Sequence, residues 1–136
     1  MRGLVLDVSV AAAWLIPDES AEPAWRLLDR VLAETATVPF IWRAEAANTL
    51  VMAERRGRLT EADRVKAIDL IETMPLRIDM DGSTLVFSTA YDLAIMRRLS
   101  LYDAMYLELA LRCGLPLASF DRRLREAAKM ESVELT

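Results

Sequence analysis

Short apolar runs alternate along this chain with longer segments of helical periodicity, and this alternation restricts its fold more than any other feature. Leu4–Leu6 is a continuous apolar run of the kind that a strand buried on both faces shows. Residues 37–39, Leu76–Asp79 and Leu117–Ala118 are further strand candidates. Strands that alternate with helices favour a parallel sheet covered by helices on both faces. The sequence therefore predicts an α/β fold with a central, mostly parallel sheet of four to five strands.

Helix boundaries are indicated by apolar spacing and by end signals. Ser9 can cap the first helix and Pro17 stops it. Thr60 and Asp63 have the spacing of a capping box. The predicted helices cover residues 10–16, a segment from residue 20, 42–56, 61–74, 83–98, 102–112 and a segment through residue 129 that Asp121 caps. Residues 132–135 predict a last edge strand, and the absence of linkers and repeats predicts one domain over residues 1–136.

The composition excludes several classes of function. The chain contains no histidine, which rules out a Ser-His-Asp triad, a catalytic histidine pair and an HExxH zinc site. It also lacks the glycine-rich loops of the common nucleotide folds. The net charge of −4 argues against nucleic-acid binding by bulk electrostatics, so such binding would need local arginine patches, a metal ion or a basic partner.

Cysteine content and hydropathy indicate the compartment. Cys113 has no second cysteine to pair with, which fits a reducing cytosol. The apolar run that ends at Ile16 is interrupted by Asp7 and is too short to span a bilayer. A cytoplasmic protein with no membrane segment is therefore expected. The 54% of hydrophobic residues could also supply a surface for an oligomer.

Four carboxylates stand where a predicted strand ends or a predicted helix begins: Asp7, Glu45, Asp103 and Asp121. Ligands of parallel sheets bind beyond the carboxyl ends of the strands, where such acids would converge. Converging carboxylates repel one another unless a cation lies between them. Because no histidine is available, the cluster predicts a hard ion such as Mg²⁺ or Mn²⁺. Metal-assisted cleavage of a phosphodiester is the chemistry that follows most naturally.

Two polar residues are placed to support these acids. Asn48 lies three residues after Glu45, hence on the same helical face, and offers a second oxygen ligand. Ser119 lies two residues before Asp121, and its hydroxyl could orient a carboxylate or a water molecule.

Each acid also has an ordinary structural explanation. Asp7 and Asp121 could cap the helices that follow them, and Glu45 could interact with a helix dipole. Asp103 has capping-box spacing from Ser100. The four positions together favour a functional site, since a parallel sheet is the one fold that brings all of them to the same edge.

Four segments of the chain resemble the motifs of PIN-domain nucleases. They are LVLDVS at residues 4–9, EAANTL at 45–50, YDAMYL at 102–107 and LASFDRRL at 117–124. Their order and spacing, and the length of the chain, resemble the VapC toxins of bacterial toxin–antitoxin pairs, and the segment at 102–107 is the most specific. The resemblance implies a PIN-like three-layer α/β/α fold and a metal-dependent endoribonuclease.

The resemblance also implies roles for individual residues and partners. Asp7, Glu45, Asp103 and Asp121 would be the catalytic ligands of one or two Mg²⁺ or Mn²⁺ ions, with Ser9, Asn48 and Ser119 in support. Many relatives have threonine in place of Ser119, which keeps the hydroxyl. A cognate antitoxin would present a basic side chain to the acids, the substrate would be RNA, and a homodimer is usual.

Arginines near the third and fourth acids are candidates for RNA contacts. Arg97 and Arg98 precede Asp103 by a few residues, whereas Arg122 and Arg123 directly follow Asp121. Solvated helix ends explain these four arginines equally well.

Two other functions remain open. The first is a non-catalytic interaction module on the same PIN fold. The second is a metal-dependent phosphatase of the haloacid dehalogenase type, whose nucleophile loop the Asp7-x-Ser9 spacing loosely resembles. That chemistry needs a second aspartate where Ser9 stands and a lysine near the phosphate, but no lysine precedes Lys66.

Overall fold

The computed structural model describes residues 3–136, so Met1 and Arg2 lie outside the described part of the chain. Its sheet consists of β1 (Leu4–Leu6), β2 (Ala36–Pro39), β3 (Leu76–Asp79) and β4 (Leu117–Ala118). The strand order is β3-β2-β1-β4, and every neighbouring pair is parallel. The predicted α/β fold with a parallel four-stranded sheet is confirmed.

Helices cover both faces of this sheet and make it the middle of three layers. They are α1 (Val8–Leu15), α2 (Glu22–Glu34), α3 (Trp42–Arg55), α4 (Glu61–Thr73), α5 (Thr89–Arg97), α6 (Leu101–Cys113) and α7 (Arg122–Met130). Helix α1 packs against α2, α3 and α4, whereas α6 packs against β1, β2 and β4 and against α5 and α7. Two short 3-10 turns, Pro17–Glu19 and Asp81–Leu85, join these elements.

The core forms where the apolar strands meet the helices. Leu4, Val5 and Leu6 are fully buried, as expected for a strand covered on both faces. Trp42 and Tyr106 are the two largest fully buried side chains, and each belongs to a helix that also carries one of the predicted site acids. No helix within residues 3–136 is long and apolar enough to cross a membrane.

Two predicted elements differ from the structure, and the prediction that Ser9 caps the first helix is wrong, because α1 begins at Val8 and Ser9 lies inside it. The helix expected over residues 83–98 is divided into the 3-10 turn Asp81–Leu85 and α5, because the hydroxyls of Ser83 and Thr84 bond to carbonyl oxygens three residues earlier. The edge strand expected at residues 132–135 is reduced to a single parallel bridge between Leu117 and Leu135. Neither difference changes the edge of the sheet at which the acids lie.

Candidate active site

The register of β1 against β4 brings Asp7 beside Ser119. Leu6 pairs with Ala118, and the Asp7 N–H donates to the Ala118 carbonyl at 2.9 Å. The Asp7 side chain is only 6% exposed, and its Oδ2 accepts hydrogen bonds from Ser119 Oγ at 2.6 Å and from Ser9 Oγ at 2.7 Å. No side-chain bond from Asp7 caps α1. The capping explanation for this acid is therefore wrong, and its carboxylate is oriented by two hydroxyls.

Asp121 lies beyond β4 and starts α7. Its Oδ1 accepts the Leu124 N–H at 2.9 Å, so the capping explanation is correct for this residue. The turn that carries it is fixed by Ser119, whose Oγ accepts the Asp121 N–H at 3.0 Å and whose carbonyl accepts a bond from Arg125 Nη1 at 2.9 Å. One residue thus bonds to the Asp7 carboxylate and to the Asp121 backbone.

Asp103 lies in the first turn of α6. Ser100 Oγ accepts the Asp103 N–H at 3.1 Å, which is one half of the capping box that the spacing predicts. At Thr60 and Asp63 both halves of such a box are present. Ser100 therefore starts the helix, and the Asp103 side chain is half-buried.

Glu45 lies in the first turn of α3 and is held by a neighbouring helix. The phenol of Tyr106, which is fully buried in α6, donates to Glu45 Oε1 at 2.7 Å. Asn48 follows on the same helix with an exposed side chain. Among residues 3–136 no hydrogen bond joins Asn48 to any of the four acids. Its predicted supporting role stays a prediction.

Burial and neighbouring charge act together on Asp7. Burial raises the pKa of its carboxyl group, and the hydrogen bonds from Ser119 and Ser9 offset part of that increase. The negative charge of Asp121 raises the pKa of Asp7 further. The two acids that follow adjacent strands are therefore close enough to repel each other.

The other two acids belong to the same electrostatic cluster. Burial raises the pKa of Asp103 to about 6, with further contributions from the charges of Asp121 and Asp7. Burial also raises the pKa of Glu45, the bond from Tyr106 lowers it, and the charges of Asp7 and Asp103 raise it. The fold thus brings all four predicted acids to one edge of the sheet, where their charges act on one another.

Comparison with known proteins identifies the family. The family model described as PIN domain matches residues 4–130. The chain belongs to the PIN-domain family. It is 30% identical over 123 residues to Ribonuclease VapC3 of Pyrobaculum aerophilum, a match that covers 90% of this chain and 92% of that protein. The resemblance to VapC-type PIN domains is confirmed.

A solved structure shows the same fold. The crystal structure of PAE2754 from Pyrobaculum aerophilum superimposes with a TM-score of 0.67 at 22% sequence identity. The match covers 92% of this chain and 78% of that one. The three-layer arrangement of the PIN domain is therefore found in an independently determined structure.

The acidic edge of this PIN domain has the donor chemistry of a cation site but not a closed cluster. Within residues 3–136 no three acidic or cysteine side chains come together closely enough to hold an ion as they stand. Carboxylates that repel one another stay apart until a cation compensates their charge. Their oxygen atoms, supported by serine hydroxyls, suit a hard divalent ion. The residues fit such an ion by chemistry, and coordination requires the side chains to draw together.

The arginines predicted to contact RNA fall into two groups in this PIN domain. Arg97 forms an ion pair with Glu131, and both side chains are largely shielded from solvent. Arg122 is exposed and lies 3.4 Å from Glu126 on the same helix. Both arginines are therefore engaged by nearby acids, whereas Arg98 and Arg123 have no such ion pair in the described part of the chain.

Tyr106 and Arg125 were not among the sequence-predicted site residues, although each supports one. Tyr106 is three residues from Asp103 in α6, and a buried tyrosine generally needs a partner for its hydroxyl. The sequence therefore contained a signal that the Tyr106 hydroxyl bonds to a polar group nearby. Arg125 follows Asp121 by four residues, but its bond to the Ser119 carbonyl depends on the turn geometry and had no signal in the sequence.

Proposed function

We propose that residues 1–136 form a single nuclease domain that hydrolyses RNA phosphodiester bonds as a metal-dependent endoribonuclease. One observation carries the proposal: Asp7, Glu45, Asp103 and Asp121 converge on the carboxyl edge of the sheet, where burial and mutual repulsion raise the pKa of three of them. Fixing several carboxylates beside one another is unfavourable unless a cation is bound. Membership of the PIN-domain family and the likeness to Ribonuclease VapC3 support RNA as the substrate.

The ligands of the proposed Mg²⁺ or Mn²⁺ site are these four acids. Bound in such a site, a divalent ion supplies activation of a water molecule and neutralisation of charge on the phosphate. The protein's own part is orientation, because Ser9 and Ser119 fix the Asp7 carboxylate and Tyr106 fixes Glu45.

A toxin role in a type II toxin–antitoxin pair is the second part of the proposal. The acidic edge suits an antitoxin that presents a basic side chain to it. A groove of about 610 Å³ between α3 and α4 is lined in part by Ala46, directly after Glu45, and by the exposed side chains of Val51 and Ile68. An antitoxin segment that packs along this apolar groove would reach the acids at its end. We propose that the pair acts in the cytoplasm.

We also propose a homodimer. Phe87, Tyr91 and Ile95 are spaced four residues apart along and just before α5, and their exposed fractions are 92%, 51% and 68%. Aromatic and aliphatic side chains in one exposed stripe are typical of a protein interface. A second copy of the chain is the proposed partner of this stripe.

Incubation with total bacterial RNA tests the nuclease proposal. The purified protein, freed of any antitoxin, should produce discrete fragments with Mg²⁺ or Mn²⁺. The same reaction with EDTA, or with the Asp103→Asn variant and metal, should produce none. Intact RNA in every reaction of the folded protein would contradict the proposal.

Expression of the chain in bacteria tests the toxin role separately. Growth should slow, and co-expression of the small open reading frame adjacent to the gene should restore it. Normal growth with confirmed soluble protein would contradict the toxin role and leave the nuclease proposal standing.

A non-catalytic interaction module is the second candidate, and one observation favours it. The acids do not form a closed cluster within residues 3–136, as they would in a ready-made metal site. This candidate predicts a folded protein that binds no Mn²⁺. The phosphatase alternative has less support, because Ser9 occupies the place of the required second aspartate and donates its hydroxyl to Asp7.

A further inference from the structure

A groove of about 430 Å³ runs between the end of α5 and the outer face of α7. Its walls include the side chains of Arg97, Arg98, Arg123, Glu126, Met96 and Met130. We refer to this feature as the arginine groove. It is separate from the apolar groove between α3 and α4, with which it shares no residue.

Both walls of the arginine groove continue directly into the acidic edge. Arg98 follows the last residue of α5 and precedes Ser100, the residue that starts α6 and with it Asp103. Arg123 lies two residues after Asp121 in the first turn of α7. Two residues of chain span no more than about 7 Å, so the mouth of the groove adjoins the proposed site of cleavage.

Two guanidinium groups in the groove lack an acidic partner within residues 3–136. Arg97 is paired with Glu131, and Arg122 on the adjoining surface is paired with Glu126. Arg98 and Arg123 are exposed and take part in no ion pair in that part of the chain. The groove also holds the carboxylate of Glu126, but that charge is paired with Arg122, so Arg98 and Arg123 keep uncompensated charges that an added anion would neutralise. Guanidinium groups bind phosphate oxygens with two parallel hydrogen bonds, so phosphate is the anion that they suit best.

The backbone at Arg98 is a second, independent observation. Arg98 has φ +55° and ψ 44°, the left-handed conformation in which glycine is favoured at the end of a helix. The conformation turns the chain from α5 towards α6, and glycine would achieve the same turn without steric cost. An arginine at this position is therefore not explained by the turn. Thr35 and Ser132 also have positive φ and no part in the site, so the conformation supports a role for Arg98 only together with its exposed guanidinium in the groove.

The lining also includes Glu126, which pairs with Arg122, and two exposed apolar side chains. Met96 and Met130 have exposed fractions of 64% and 67%. Methionine side chains adapt to flat or irregular apolar surfaces such as the face of a nucleobase. Guanidinium groups beside exposed apolar side chains match a nucleotide, which has a charged phosphate and an apolar base, better than they match a free phosphate ion.

We propose that the arginine groove binds a nucleotide of the RNA strand beside the phosphate that is cleaved, with Arg98 and Arg123 on its phosphate and Met96 and Met130 against its base. The proposal rests on the proposed function and adds a substrate-positioning site to it. It also divides the four candidate arginines, because Arg97 and Arg122 are engaged by acids while Arg98 and Arg123 are available to RNA.

Binding of a fluorescently labelled, unstructured RNA oligonucleotide in the presence of Mg²⁺ tests the proposal. The Asp103→Asn protein serves as the parent so that the RNA stays intact, and all variants are compared at one Mg²⁺ concentration high enough to offset its weakened metal binding. Arg98→Gly and Arg123→Gln should each weaken binding roughly three- to tenfold and reduce the slope of log affinity against log salt concentration by about 0.7. Arg98→Gly should leave the melting temperature unchanged or higher, because glycine suits the backbone there. A loss of binding in this variant cannot then be attributed to unfolding.

Arg56→Gln is the matched control. Arg56 is exposed, has no ion pair within residues 3–136, and directly follows the last residue of α3, roughly 16 Å along the helix axis from Glu45. This variant should bind RNA as the parent does. Equal affinities of Arg98→Gly, Arg123→Gln and Arg56→Gln would overturn the groove proposal.

Further outcomes separate this proposal from the proposed function. Metal-dependent cleavage by the wild-type protein together with unchanged binding by the groove variants would overturn the groove alone. No RNA binding by the parent and no cleavage by the wild type would overturn both. If polyglutamate of matched charge bound as tightly as RNA and lost affinity equally in the groove variants, the groove would serve an acidic protein segment and the RNA assignment would be wrong.

Discussion

Asp103 shows how one residue of the acidic cluster can lower the stability of the fold. Its pKa is raised by burial, and by Asp121 and Asp7, from 3.8 to about 6. The folded protein therefore binds a proton more tightly at this carboxyl group than the unfolded chain does. The contribution of Asp103 to the free energy of unfolding should fall as the pH rises from about 4 to about 6 and should level off above that range. The raised pKa values of Asp7 and Glu45 act in the same direction. The lowered pKa values of Asp18, Asp63 and Asp79 act in the opposite direction.

We predict that Asp103→Asn is more stable than the wild type at about pH 7 in EDTA, and that the difference shrinks towards about pH 4. The amide is uncharged at every pH and relieves the repulsion of its neighbours. Urea unfolding across this pH range measures the effect. Asp69→Asn, at an exposed acid of α4, is the control and should follow the wild type. A variant that is less stable than the wild type at neutral pH would contradict the raised pKa.

Tyr106 provides a second test at the scale of a single residue. Tyr106→Phe removes the hydroxyl that donates to Glu45 and keeps the ring that fills the core. A hydrogen bond to a charged group contributes about 1.5–3 kcal/mol, but half-exposed Glu45 can regain part of this from water. We therefore predict a roughly three- to tenfold weaker affinity for Mn²⁺, measured by calorimetric titration. A dissociation constant equal to that of the wild type would show that Tyr106 does not position Glu45.

Helix α6 links the acidic edge to the rest of the molecule. It carries Asp103 in its first turn and Tyr106 one turn later, and its last turn is held by Arg112. Arg112 donates to Glu108 in the same helix and to Asp79 at the end of β3, with N–O distances of 2.7 Å to each. The helix is thereby fixed at the end opposite to the site.

We predict that Arg112→Met lowers the free energy of unfolding by about 3 kcal/mol, because Glu108 would remain buried without its counter-charge. The double variant Arg112→Met with Glu108→Gln should be less destabilised than the single one. Urea unfolding compares the two. A loss of less than about 1 kcal/mol in the single variant, the size of a surface ion pair, would show that this pair does not anchor α6.

Elements could be predicted from the sequence where end signals and apolar spacing agreed, and not elsewhere. The capping box at Thr60 and the buried run at Leu4–Leu6 were predicted correctly for this reason. Residues 83–88 have enough apolar residues for a helix, but the hydroxyls of Ser83 and Thr84 compete for its carbonyl groups. That competition depends on the path of the chain after β3, which the periodicity does not contain.

The topology of the whole molecule explains why the site acids could be predicted from the sequence, whereas their hydrogen bonds could not. A parallel sheet sends every strand end to one edge, so Asp7 and Asp121 had to lie at the same edge, and they are neighbours there because β1 pairs with β4. The bonds from Ser119 to Asp7 and from Tyr106 to Glu45 depend on strand register and helix packing, which no local pattern encodes. The pairing of Arg97 with Glu131 likewise joins residues that only the folded chain brings together.

The net charge of −4 determines how the whole molecule can bind RNA. A protein of this charge does not attract RNA over its whole surface, so an acidic edge flanked by the arginine groove would bind RNA only where a cation and two arginines offset the acids. RNA affinity should accordingly depend on the divalent ion as well as on salt. The same acidic edge is the proposed point of attachment for a basic antitoxin segment.

Calorimetric titration of the purified protein with Mn²⁺ tests the central claim most directly, because it measures metal binding by the four acids and does not require knowledge of the target RNA. The wild type and the Asp69→Asn control should bind Mn²⁺ equally well, whereas Asp7→Asn and Asp103→Asn should bind it at least tenfold more weakly while remaining folded. Equal binding by all four proteins, or no binding by the folded wild type, would contradict a metal site built from these carboxylates.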